Sequence, residues 1–482
     1  MKKFEFTGET KTINLLFGTA TLHRIRAVAK FGFVEIGELG GWIEKEENLS
    51  HEENAWVYGD AKVYGNAKVY GNAEVRDKAE VCGNAIVYGN AKVGENAKVQ
   101  DKAEVCGNAI VYGNAKVGED AEVYDNAEVC GNVIVFGNAK VRGKAEVCGN
   151  AIVCDNAKVG ENAEVYGKAL IYGDAKVYGN AKVYGNAKVG EDAEVYDKAE
   201  VYDKAEVYGN AQIYGNAIVR ANAKVYGKAE VCGKAGVGGK AEIRDDAKVY
   251  DKAIVCEDAN VYGKAQIYGD AKVWYDAKVY GNAEVCGKAE VRGKAEIRDD
   301  ANVYGNANVY GNANVYGNAK IYGNAKVYDN AKVWDDAKVY DNAEVCGNAK
   351  VWEDAKVYVN AKVYSNAEVY SNAKVYGNAK VYGNAEVCGK AEVCGKAEVF
   401  STRHVLVIGT IGSQDDFATF YRDKDNEITV KCGYFLDKID KFLEKVTETH
   451  GDSNYALVCR AAVEAARLQI DLSNEVTKDA DE

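Results

Sequence analysis

From Ala55 to Ala397 an alanine stands at every sixth position, and the only interruption in 58 hexads is the conservative Val133. A repeat this strict constrains the chain more than its length of 482 residues does. A unit of six residues cannot bury a face alone and must stack on its neighbours. A Val or Ile follows each Ala by two residues, as at Val57, Ile171 and Ile321. Lys, Glu, Asn or Ile lies between them. Tyr, Cys, Arg, Trp or Gly comes next, and a corner pair such as Gly-Asn closes the word. Residues two apart in a strand point to the same side. The pattern therefore predicts a short strand, Ala-Lys-Val-Tyr, with Ala and Val inward and Lys and Tyr outward. Gly and Asn tolerate positive φ and supply the corner.

Composition removes several alternatives. Hydrophobic residues make up 47% of the chain, too many for a disordered low-complexity segment. The 50 glycines carry no three-residue period, which excludes a collagen helix. The formal net charge is −13, Lys and Glu share one slot of the hexad, and no basic stripe accumulates, so no nucleic-acid partner is expected. No run of about 18 apolar residues predicts a membrane span. The opening "MKKFEFTGETKTINLLFG" lacks the apolar core of a secretory signal. A cytoplasmic chain with free thiols is the expectation for its 13 cysteines. Eleven of them occupy the outward Tyr slot of the hexad, where Cys reads most simply as a small substitute for Tyr.

The spacing resembles the hexapeptide repeat of left-handed parallel β-helices, with an aliphatic residue followed four positions later by a small one. Val93-Gly94-Glu95-Asn96-Ala97 and Val159-Gly160-Glu161-Asn162-Ala163 carry the likeness. Left-handedness comes from this resemblance alone, since general crossover chirality favours the opposite hand. The family implies three hexads per triangular coil. That makes an all-β solenoid of about 19 coils, roughly 90 Å long at the strand spacing of a sheet. In such a coil Cys130 and Cys148, 18 residues apart, would stack about 4.8 Å from each other, near disulfide range. The "LHRIRA", "GELGGWIE" and "NLS" segments resemble the N-terminal module of bacterial and prophage hexapeptide-repeat proteins, some of them labelled transferases. The expected division is an N-terminal β cap over 1–54, the β-helix over 55–400, a small α+β domain over 401–474 and an acidic tail over 475–482. In the α+β domain "HVLVIGTIG", "FATFYR" and "ITVKCGYF" read as strands and "DKDNE" as a hairpin turn. Ile439, Phe442, Leu443 and Val446 mark a helix closed by Gly451, and a second helix follows from about Asn454 to Ile470.

Chemistry is sparse in this pattern. The resemblance implies acyltransferase activity, which needs a His general base, a protruding loop and a subunit cleft. The four histidines are His23, His51, His404 and His450, all outside the repeat, and no hexad carries a loop. No catalytic residue, metal ligand or cofactor site is therefore assigned. "GTIGS" lacks the Gly spacing and Lys of a phosphate loop and reads as a strand ending in a Gly turn. His404 and His450 read as surface residues and Cys432 and Cys459 as core.

Departures from the repeat are more informative. Ile134, Ile152 and Leu170 replace the usual charged residue at an 18-residue stride, with Phe136, Cys154 and Tyr172 beside them. They should form one apolar patch, bounded by Gly118 and Gly190, and contiguous apolar surface marks contact sites. Trp334 and Trp352 should stack in the same way and form a second, weaker candidate. Tyr at the outward position predicts ladders of rings that shield the strands and offer a surface to flat or sugar-like partners. The functional expectation is a structural or interaction solenoid, a spacer or repetitive binding surface. Its partners would be proteins, or further copies of the chain meeting along the rod or at the apolar patch.

Overall fold

The computed structural model describes residues 2–15 and 17–473, so the acidic tail expected at 475–482 lies outside it. The chain divides after Asp245 into two compact units. Both are built from the same parallel coil.

In the first unit every hexad gives one strand, and strands 18 residues apart within the unit pair in parallel. Lys98 faces Lys116 on one sheet, Glu104 faces Glu122 on the second and Ile110 faces Glu128 on the third. The second unit repeats the arrangement at Lys278 and Glu296, Glu284 and Asn302, and Glu290 and Asn308. The register never slips because every word has the same length. Strands are two residues long, as at Lys98–Val99, rather than the four expected. The reason lies at the corner. The Ala97 N–H donates back to the Gly94 carbonyl at 3.1 Å, and Ala109 does the same to Cys106 at 3.3 Å. Ala and the outward residue after Val thus close the turn, while the Ala carbonyl and the outward residue's N–H still join the ladder, as from the Lys98 N–H to Ala115 O at 2.8 Å and from the Gln100 N–H to Val117 O at 2.9 Å.

The interior is a column of Ala and Val with no solvent exposure, Val133 included. Small side chains fit a narrow prism without voids. At each corner one residue takes φ near +60 to +75°, such as Gly113 at +75° and Asp77 at +60°. At several acidic corners the carboxylate accepts the corner N–H one coil on: Asp77 from Glu95 at 2.9 Å and Glu191 from Gly209 at 2.8 Å. The neighbouring Asn side chains form amide ladders, as from Asn72 to Asn90 to Asn108 to Asn126.

The N-terminal module seals the first coil. Strands Phe4–Leu15 and Gly18–Ala27 form an antiparallel hairpin, bulged between Phe6 and Thr10. Leu39–Ile43 pairs antiparallel with the hairpin on one side and parallel with Lys62–Val63 on the other. It therefore splices one kind of sheet onto the other. The "GELGGWIE" and "NLS" segments supply the contacts. A Cβ at Gly41 would lie 2.6 Å from the Ala61 carbonyl oxygen, so only glycine allows this approach. The buried Asn48 amide donates to the carbonyls of Gly65 and Ala67 at 3.1 and 2.8 Å. The Lys3 ammonium, almost wholly buried, donates to Ala55 O at 2.8 Å. Burial lowers its pKa to about 8, with Glu53 opposing.

The C-terminal module is a four-stranded antiparallel sheet, Val405–Ile411, Asp416–Arg422, Ile428–Cys432 and Phe435–Lys438, backed by helices α1 (Ile439–His450) and α2 (Asn454–Gln469). The stretch "ITVKCGYF", expected as one strand, is instead a hairpin. Gly433, at φ +52°, turns the chain so that Phe435 pairs with Cys432. Phe420, Val430, Phe442 and Val463 fill the core between sheet and helices. The module docks on the last coil through Thr419, whose hydroxyl accepts the Glu392 N–H at 2.9 Å, and through the Tyr421 hydroxyl, which donates to Cys394 O at 3.1 Å.

Candidate functional site

The outer surface of the coils is written by two spacings. A Lys and a Glu 18 residues apart stand on adjacent rungs and pair, as in Lys176 with Glu194 at 2.6 Å and Lys380 with Glu398 at 2.9 Å. A Tyr hydroxyl donates to a Glu 16 residues on, as in Tyr184 with Glu200 at 3.3 Å. The short bond from Tyr112 to Glu128, with burial adding to it, pushes the tyrosine pKa up to about 12. Exposed pairs of this kind stabilise by about 0–1 kcal/mol each and act mainly by filling every rung with a compatible partner.

Tyrosines 18 apart stack with nearly parallel planes, such as Tyr322 with Tyr340 at 4.8 Å and 2°. Trp334 and Trp352 stack at 4.8 Å inside a run that begins at Tyr316 and ends at Tyr370. Each ring spends its face on its neighbour. Inside a run both faces of a ring are covered by its neighbours, which stiffens the surface.

The apolar patch has the expected register. Ile134 faces Ile152, and Ile152 faces Leu170, with Lys116 and Lys188 on the bounding rungs. Ile134 is exposed, Ile152 and Leu170 are half-buried by their mutual contact, and Phe136 and Tyr172 are half-buried beside them. Cys154 is recessed, and burial, with Asp155 adding to it, pushes its thiol up to about 11. The ring of Tyr172 lies over Gly190, filling the space a side chain there would take.

Three expectations need correction. Cys130 and Cys148 form a disulfide, whereas free thiols were expected throughout; the equal coils bring their Cα atoms to 4.7 Å. Glu128 lies close enough to both sulfurs to form a three-ligand group with them, but the sulfurs are bonded to each other and so are not thiolate ligands. Surface histidines were expected at 404 and 450. His404 is buried, its Nδ1 accepting the Phe400 N–H at 3.2 Å. Burial, reinforced by Arg422 and opposed by Asp471, lowers its pKa to about 4. His450 lines a cavity of about 200 Å³ together with Cys432 and Cys459. Burial raises both thiols, Cys432 to about 11, so neither is an activated nucleophile. The third correction concerns charge mixing. Lys320, Lys338, Lys356 and Lys374 stand on four successive rungs of one sheet. Reading the sequence in strides of 18 rather than 6 would have found them.

Residues 211–227 match the family model described as the YdcK Beta solenoid repeat. The match is to a short stretch within the repeat and agrees with the solenoid coil described above. No curated protein matches the chain. Among the described residues no helix is long and apolar enough to cross a membrane.

Proposed function

We infer that this chain is a non-enzymatic interaction scaffold, a left-handed hexapeptide-type solenoid whose terminal modules and apolar face engage protein partners. The observation that carries this reading is where large apolar side chains are left in solvent. Phe17 and Phe33 in the N-terminal module are 92% and 93% exposed, and Leu468 in the C-terminal module is 83% exposed. In the repeat, by contrast, the large apolar residues reach at most 47%, at Tyr275, with Ile254 at 42% and Ile134 at 36%. Exposed apolar residues concentrated in the modules mark contact surfaces, and the coils between them in the chain supply a regular support. Protein partners, further copies of the chain among them, fit such surfaces better than nucleic acid does, given the net charge of −13.

The acyltransferase alternative suggested by the resemblance draws no support from the histidines, which all lie in the terminal modules. Ile152 sits at the middle of the apolar stack, so Ile152→Lys tests that face. The substitution restores the residue type usual at this rung and leaves the coil folded by circular dichroism. It should abolish any association carried by the patch. A pull-down from the native host, or a light-scattering mass, that is unchanged by the substitution removes the patch from the proposal.

A further inference from the structure

The lysine run ends in a cleft. A cavity of about 470 Å³ opens between the rungs of Lys338, Lys356 and Lys374 and the two inner strands of the C-terminal sheet, which carry Phe417 and Lys431. Lys390, from the last coil, completes the lining and places its ammonium 4.5 Å from the centre of the Phe417 ring. Three carboxylates, Asp354, Glu392 and Asp416, face these five lysines. One of the three is already committed. Glu392 accepts from Lys374 at 2.7 Å and pairs with Lys431 at 3.6 Å. Burial works to raise its pKa, but these lysines hold it below the ordinary carboxylate value.

The remaining lysines pose a physical problem. Like charges directly opposite each other on adjacent strands are destabilising. Elsewhere in the repeat lysine runs span at most three rungs, and in the two-rung run of Lys98 and Lys116 the first member pairs with Glu80. In the row Lys140, Lys158 and Lys176, both outer members are paired, with Glu122 and Glu194. In the row from Lys320 to Lys374 only Lys374 is paired, and among the described residues no carboxylate lies within ion-pair distance of Lys320, Lys338 or Lys356. A chain with a net charge of −13 thus gathers unmatched positive charge at the concave junction with its C-terminal sheet. Two rungs separate Lys338 from Lys374, about 10 Å at the strand spacing. That is too long for one small anion and suits a short row of linked anionic groups. Lysine ammoniums act on phosphate as point charges and need no fixed fork geometry.

We propose that this cleft binds a small ligand carrying two or more linked phosphates, laid along Lys338, Lys356 and Lys374 with one end against Lys390 and Lys431. The phosphate chain is the recognised chemistry. Its source, inorganic or nucleotide, is separated by the probes.

The test is calorimetric titration of the full chain with inorganic tripolyphosphate and with ATP. Saturable one-site binding is expected for tripolyphosphate, weakened by added salt. Similar affinity for ATP identifies the phosphate chain as the whole determinant, and tighter binding of ATP adds a contact to its base. Lys356→Glu should weaken binding at least tenfold. It should also raise the thermal midpoint of the free protein, because a carboxylate would then lie between Lys338 and Lys374. Lys158→Glu makes the same charge change in the balanced row and should leave the affinity unaltered. Absence of saturable binding overturns the proposal, as does an equal loss in the two variants.

Discussion

A single corner residue shows how far the repeat bends local preference. The first corner position takes a left-handed backbone whether it holds Gly113, Asp77, Ala221 or Val359, the last at φ +64°. Left-handed φ costs an ordinary L-residue about 1–2 kcal/mol, and the β-branched side chain makes valine among the worst occupants. The neighbours enforce it: the Val359 carbonyl accepts from Asn342 at 2.8 Å and its N–H donates to Asp341 at 3.3 Å. Val359→Gly keeps both bonds and removes the strain, while glycine loses some of the gain to its freer unfolded chain. The expected net is a stabilisation of about 1 kcal/mol, read as a raised thermal midpoint. A lowered midpoint would mean that the exposed Val359 side chain contributes contacts outweighing the strain. At this scale the sequence was legible. The six-residue period placed the Ala and Val of each strand in the interior, and the Gly and Asp at the first corner position announced the positive φ.

At the scale of elements, the terminal modules convert unpaired strand edges into satisfied ones. In the C-terminal module His404 must stay neutral to accept the Phe400 N–H, and burial beside Arg422 holds its pKa at about 4 against an ordinary 6.5. The unfolded chain binds a proton at this residue between those values and the folded chain does not. His404 therefore leaves stability intact above pH 6.5 and removes it progressively as pH falls towards 4. Hydrogen exchange should show the amides of Phe400 and the adjoining sheet losing protection across that window, while a His404→Gln chain shows no such step. Protection that is flat with pH in the parent would place the proton uptake elsewhere. Little of this was readable in advance. The strands and helices of the module could be marked from their periodicity, but the hairpin at Gly433 hid inside a continuous β-rich run. The neutral state of His404 depends on burial beside Arg422, which the strand Asp416–Arg422 brings close to it.

For the molecule as a whole, stability in a solenoid is a sum of coil and nearest-neighbour terms, so the exposed ends matter more than any one interior coil. Removing residues 401–482 would strip Thr419 from the Glu392 N–H and Tyr421 from the Cys394 carbonyl, leaving the last strands open. Open edges add to other chains. The truncated protein should self-associate with rising concentration in light scattering. A truncated chain that stays monomeric would show that the module has no capping role.

The sequence by itself determined the coil. A fixed hexad with small inward residues admits only a stacked solution, and equal word lengths keep its register constant; the coil of three hexads came from the resemblance, and it unites Ile134 with Ile152 and Trp334 with Trp352. What only the tertiary structure decided are the places where different words meet. The strand from Asp416 to Arg422 lies against the last coil, and that docking turns a row of lysines into a cleft. The Cys130–Cys148 bond likewise rests on the closeness of two coils. Periodicity fixes which residues share a face, because it is a property of the backbone repeat. It cannot fix what a non-repeating module lays against that face, because such contacts follow from shape and charge brought together only when the chain folds.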